Sequence, residues 1–120
     1  MLPAKNRLSK KKDFQRVFKK GRGTKEDLLI FKWAPNNLQV SRFGFAVSKK
    51  VSKKAVLRNK IKRKLREKIR KELPLLKKGI DGVVIVNPGA AKKGGQEMVG
   101  ILNKIFSKTG LIKNNGKSSL

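Results

Sequence analysis

The chain has 120 residues, 33 Lys plus Arg against seven Asp plus Glu, no His and no Cys, and a formal net charge of +26. That length fits one compact domain, and the missing Cys and His remove disulfides, thiolate or imidazole metal sites and the commonest general base. A charge far beyond what solubility requires calls for a polyanionic partner, and nucleic acid answers better than a membrane surface, because a folded basic face gains affinity by releasing counterions from phosphates. The N-terminus MLPAKNRLSKKK lacks the apolar run of a secretory signal, and no stretch approaches the roughly 20 apolar residues of a membrane span. A soluble, cytoplasmic protein with no membrane partner is the expectation.

In chain order, residues 1–8 read as a flexible arm. Ser9 is the expected N-cap of a helix running to Lys20, with Asp13 early, Lys19 and Lys20 in its last turn, and Gly21 as its stop. Phe14, Val17 and Phe18 then follow the i, i+3, i+4 rule and make one apolar face. Two readings of these rings stay open: ordinary core, or the wall of a groove where single-stranded bases stack.

Gly21 to Asp27 reads as a loop with a possible short edge strand. Leu28 to Ala34 is strand-like in composition and ends at the turn signal Pro35-Asn36-Asn37. Trp33 shares a strand face with Phe31 by alternation, with core or groove both open to it. Arg42 to Ser48 alternates Phe43, Phe45 and Val47 with Gly44, Ala46 and Ser48, and the small face leaves room for a helix or a ligand.

Lys49, Lys50, Lys53 and Lys54 make a basic connector to the stretch Leu57 to Leu73, which carries nine basic residues. Leu57, Ile61, Leu65, Ile69 and Leu73 recur every fourth position, so on a helix they span roughly 0–160° of one side, while Asn59, Arg63, Arg66 and Arg70 fall at roughly 180–240°. Arg58 and Lys62 lie near the border, where long stems cover the core edge and carry the charge outward. A buried side and a cationic side follow. Glu67 is expected to relieve charge by pairing with Arg63 or Lys71.

Beyond Pro74 and Gly79, Gly82 to Val86 is a continuous apolar run suited to an interior strand. Ala90 to Gly95 reads as a loop. Glu97 to Phe106 forms a last helix with Met98, Ile101, Leu102, Ile105 and Phe106 on one side. Residues 109–120 are expected to be a disordered tail, leaving one domain over 1–108. The fold class is therefore α+β, a single-domain α-β-β-β-α-β-α sandwich with helices on a four-stranded sheet.

A self-sufficient active site is not expected. The seven acids, Asp13, Glu26, Asp27, Glu67, Glu72, Asp81 and Glu97, are scattered, whereas a two-metal nuclease needs several that converge. No Ser-x-x-Lys or Gly-x-Ser-x-Gly setting surrounds a nucleophile. The residues support recognition instead: Arg forks for phosphate oxygens or base faces, and Asn59 for a base edge or a ribose hydroxyl.

Arg58-Asn59-x-x-Lys62-Arg63-x-x-Arg66-Glu67 resembles the RNR signature of the bacterial ribonuclease P protein subunit. Asn6-Arg7-Leu8 with Asp13-Phe14 and Val17-Phe18-Lys19 resembles that family's opening, and Gly44 to Lys50 its strand before the signature helix. The matches keep family order from about residue 6 to 106. The resemblance implies a non-catalytic subunit of an endoribonuclease that removes the 5′ leader of precursor tRNA, with a catalytic RNA and its Mg²⁺ carrying the chemistry and no catalytic or metal-binding residue in the protein. It implies one protein per RNA, with Arg58, Asn59, Lys62, Arg63 and Arg66 on the RNA subunit, and Arg70, Lys49, Lys50, Lys53 and Lys54 are expected to extend that phosphate-binding surface by their place beside it. Phe14, Phe18 and Phe31 would hold the precursor leader, and the βαβ unit would cross over left-handedly. A structural, ribosomal-type RNA-binding protein and a DNA-binding architectural protein are the alternatives.

Overall fold

The computed structural model describes residues 2–89 and 95–112. Most of the expected loop at 90–95 and the chain beyond 112 lie outside the described residues. The elements are α1 (Lys11–Lys20), β1 (Arg22–Glu26), β2 (Leu29–Pro35), β3 (Arg42–Ala46), α2 (Ala55–Glu72), β4 (Ile80–Val86) and α3 (Gly95–Thr109), with short 3-10 turns at Ala4–Asn6 and Leu73–Leu75. The sheet order is β1-β2-β4-β3. β1 and β4 flank β2 in antiparallel fashion, and β3 runs parallel to β4, as the intervening α2 allows.

Strand alternation divides the molecule into three layers. Ile80, Val84 and Val86 of β4 join Leu29 and Phe31 of β2, Phe43 of β3, Leu65 and Ile69 of α2, and the apolar side of α3 in the main core. Val83 of β4 and Ala34 of β2 face the other way and pack with Val17 of α1 and Leu8. So α1 covers one face of the sheet, and α2 with α3 covers the other. β4 is buried on both faces, which explains its continuous apolar run.

The main core is built around rings. Phe31 packs edge-on against Phe106 with centroids 5.6 Å apart, and stacks on Trp33 at 5.5 Å. Gly82 makes this possible, since a Cβ there would meet Phe31 Cζ at 2.6 Å and Phe43 Cδ1 at 3.2 Å. Each buried ring contributes roughly 1.5–3 kcal/mol.

Three terminal expectations are corrected. Residues 2–8 are not a loose arm: Leu2 is fully buried in the main core, Leu8 is buried beside Val17, and Leu8 N–H donates to Phe43 O at 2.9 Å. Two leucines seated on opposite faces of the sheet wrap this segment around the outer edge of β3, where Arg7 bridges to Phe43. Ser9 is not a cap, because α1 starts at Lys11 with Lys10 before it and no side-chain cap bond. The fold also continues past residue 108. Leu111 is buried, its carbonyl accepts from Lys77 N–H at 2.7 Å, and Ile112 bridges to Leu76.

The apolar ladder of α2 is buried only where the sheet reaches it. Leu65 and Ile69 have no exposure, Ile61 and Leu73 pack partly, yet Leu57 is 42% exposed. An 18-residue helix is about 27 Å long whereas five-residue β3 spans about 17 Å, so the first turn of α2 overhangs the core.

Candidate RNA interface

Asp81 sets the position of α1. It sits fully buried on the α1 face of β4 and accepts bonds from Arg42 Nε at 2.8 Å, Arg42 Nη2 at 2.7 Å, Asn36 Nδ2 at 2.9 Å and Arg16 Nη2 of α1. Arg16 also donates to Pro35 O at 2.7 Å, and Asp13 of α1 lies 3.5 Å from Arg42. Burial by itself would push the Asp81 carboxyl up. The bonds from Arg42 and Asn36 and the charges of Arg42 and Arg16 outweigh it and hold the group below its ordinary range. Arg42 is correspondingly held above its ordinary value, chiefly by its bond to Asp81.

Pinned in this way, α1 crosses the sheet and leaves part of that face open. Phe14 lies against Gly44, where a Cβ would stand 2.7 Å from Phe14 Cε1, so only glycine admits the ring so close to β3. Phe18 is 42% exposed, its centroid 6.4 Å from that of Phe14, with Lys32 Nζ 5.9 Å from its ring centre. Beside these rings, half-buried Ile30, Ile85 and Ala46 lie across the sheet in register. The result is a trough with an aromatic wall on α1 and an apolar floor on the sheet.

Phe31 does not belong to it. The ring is fully buried on the opposite face, between Trp33 and Phe106, and a ring without exposed surface cannot stack on a base. β2 meets α1 with Ile30 and Lys32 instead. Trp33 shares the core face with Phe31, as alternation required. Lys32 is the residue missed, and its only signal is its place on the strand face opposite Phe31.

The second surface is the connector with α2. Buried Val51 anchors the connector, Ser48 Oγ and Ser52 Oγ accept from Lys50 N–H and Lys54 N–H, and Lys49, Lys50, Lys53 and Lys54 all point into solvent. Arg58 Nη1 donates to Ser52 O at 2.8 Å, tying the connector to the first turns of the helix. That helix starts with no acidic residue, so its free N–H groups and the lysines present one positive end. Asn59, Arg63 and Arg70 are exposed, Arg58, Lys62 and Arg66 half-buried, and the Arg66 guanidinium lies 5.8 Å from the Phe45 ring centre. The intrahelical ion pair formed here is Lys68 with Glu72 at 2.8 Å, in place of the pairing expected of Glu67.

Carboxylates do not gather. Asp81 and Asp13 face Arg42, Glu26 bonds Lys108 at 3.1 Å, and among the described residues no three potential metal ligands converge. Also among the described residues, no helix is long and apolar enough to cross a membrane.

Comparison with known proteins identifies the family. The family model described as Ribonuclease P matches residues 2–110. The ribonuclease P protein component of a Pseudanabaena species is 42% identical over 118 residues, covering 96% of this chain and 100% of that protein. The component from Dehalococcoides mccartyi is 40% identical over 115 residues, covering 95% and 93%. Among solved structures, the Staphylococcus aureus RNase P protein superposes with a TM-score of 0.84 at 29% identity, covering 90% of this chain and 98% of that one. With the family model spanning nearly the whole chain and relatives this similar over their full length, the chain belongs to the ribonuclease P protein family.

Proposed function

We propose that this chain is the protein subunit of a ribonuclease P holoenzyme, in which it binds the catalytic RNA and the 5′ leader of precursor tRNA while the RNA, with its Mg²⁺, cuts the phosphodiester. The relatives' shared name supports the assembly, and the residues support the division of labour. Among the described residues no three potential metal ligands converge, and in this reading Mg²⁺ belongs with the RNA. Lys49, Lys50, Lys53, Lys54, Arg58, Asn59, Lys62, Arg63, Arg66 and Arg70 form the surface for the RNA subunit. Phe14 and Phe18, with Lys32 in the place expected of Phe31, line the path of the leader.

The observation that carries this reading is the half-exposed Phe18 beside a cation on an open sheet face. Surplus positive charge alone would serve any RNA, but partly exposed rings add stacking on unpaired bases, which a leader has and a mature tRNA 5′ end lacks. By tethering the leader and screening phosphates, one protein per RNA lets two polyanions assemble at modest salt. The test is reconstitution with a bacterial catalytic RNA and a precursor tRNA at low Mg²⁺, where adding this chain restores 5′ trimming. Cleavage by the protein alone, or no stimulation at any Mg²⁺ concentration, refutes the proposal. A scaffold RNA-binding protein would bind precursor and mature tRNA equally.

A further inference from the structure

Between the trough and the arginine row, at the outer edge of β3, lies a pocket of about 200 Å³ walled by the N-terminal segment, the start of α1 and the middle of α2. Phe14 reaches it from one face of the sheet and Phe45 from the other, with Gly44 between them in direct contact with the Phe14 ring. Lys62 and Arg66 stand one helical turn apart on the opposite wall, with Arg66 lying over the Phe45 ring. No carboxylate is among the lining residues.

Two half-buried rings with a guanidinium and an ammonium beside them suit a flat, apolar group bonded to an anion. In RNA that group is a base with its phosphate. We propose that this pocket binds a single unpaired RNA nucleotide, its base against Phe14 and Phe45 and its phosphate on Lys62 and Arg66. The trough and the arginine row then form one continuous path instead of two separate surfaces. The inference rests on the function proposed above only in taking RNA as the ligand. The nucleotide has two possible sources with the same chemistry, the precursor leader and an unpaired position of the RNA subunit.

Ser9 is exposed on the pocket wall and belongs to neither the trough nor the arginine row, so it serves as the probe. A photo-crosslinking residue placed there in the assembled holoenzyme is expected to yield one dominant adduct. An adduct in the leader or in the RNA subunit identifies the source, whereas adducts scattered over many nucleotides overturn the proposal. The filling variant Ser9→Trp is expected to weaken affinity for the RNA that crosslinks by about tenfold, with the thermal midpoint unchanged. Unchanged affinity overturns the proposal as well.

The third arm uses the free protein, followed by amide NMR. Adenosine monophosphate is expected to move Ser9, Gly44 and Phe45 where inorganic phosphate moves only the neighbourhood of the cations, and equal responses refute a base site. If 5′ trimming fails in reconstitution while adenosine monophosphate still moves these amides, the pocket stands and the holoenzyme reading falls.

Discussion

Asp81 carries a large single-residue prediction, because its buried carboxylate answers two arginines and an asparagine at once. Asp81→Asn leaves Arg16 and Arg42 without their counter-charge and is expected to cost about 3–5 kcal/mol, measured by urea unfolding at neutral pH. The pH dependence follows from the lowered folded-state value. A carboxyl depressed by folding stabilises in full above its unfolded value near 4, and that contribution is lost as pH falls through the folded value. Wild-type stability should therefore decline below about pH 4 more steeply than that of Asp81→Asn. Phe18 and Phe31 make a second contrast. Phe31→Ala empties a core site and should cost about 3–5 kcal/mol of stability. Phe18→Ala should leave stability nearly unchanged but weaken binding of precursor relative to mature tRNA by about 1–3 kcal/mol, read from paired affinity measurements.

Among the elements, α2 is the one that, on the proposed function, sets how RNA affinity responds to salt. Its buried side is held by Leu65 and Ile69, so exposed Arg63 and Arg70 can be replaced without disturbing the core. Each arginine that neutralises one phosphate contributes about 0.7–0.9 to the slope of log affinity against log salt. Arg63→Ala with Arg70→Ala should thus lower that slope by about 1.4–1.8 while far-UV circular dichroism stays constant. A slope unchanged from wild type would remove these two residues from the interface. α1 works differently, contributing rings on a base pinned by Asp81, so its effect depends on position more than on charge.

For the whole molecule, charge opposes compactness. Most of a net charge of +26 lies on the described residues, whose radius of gyration is 13.7 Å, and Asp13, Glu26, Glu72 and Asp81 are already engaged in ion pairs. At 0.01 M salt the screening length of about 30 Å exceeds the molecule's radius, and at 0.1 M it falls to about 10 Å. The thermal midpoint of the free protein is therefore expected to rise between those concentrations, checked by calorimetry at fixed pH. RNA affinity should fall over the same interval, because the counterions that relieve self-repulsion also compete for phosphates. A midpoint that fell with salt would show that the ion pairs outweigh the repulsion.

Local patterns in the chain were enough to determine the order of elements, the apolar sides of α3 and α2 and the cationic row on α2, because each follows from residue spacing within one element, but not that the first turn of α2 overhangs the core and leaves Leu57 exposed. Alternation likewise placed Phe31 with Trp33, and Ile30 with Lys32. It could not choose which pair meets α1, since a strand's two faces are equivalent until something packs on one of them. That choice came from contacts far apart in sequence: Arg16 reaching Asp81, and Phe14 seating on Gly44. The same holds for residues 2–8, whose leucines carry no periodic signal, and are buried only because the edge of β3 stands open to receive them.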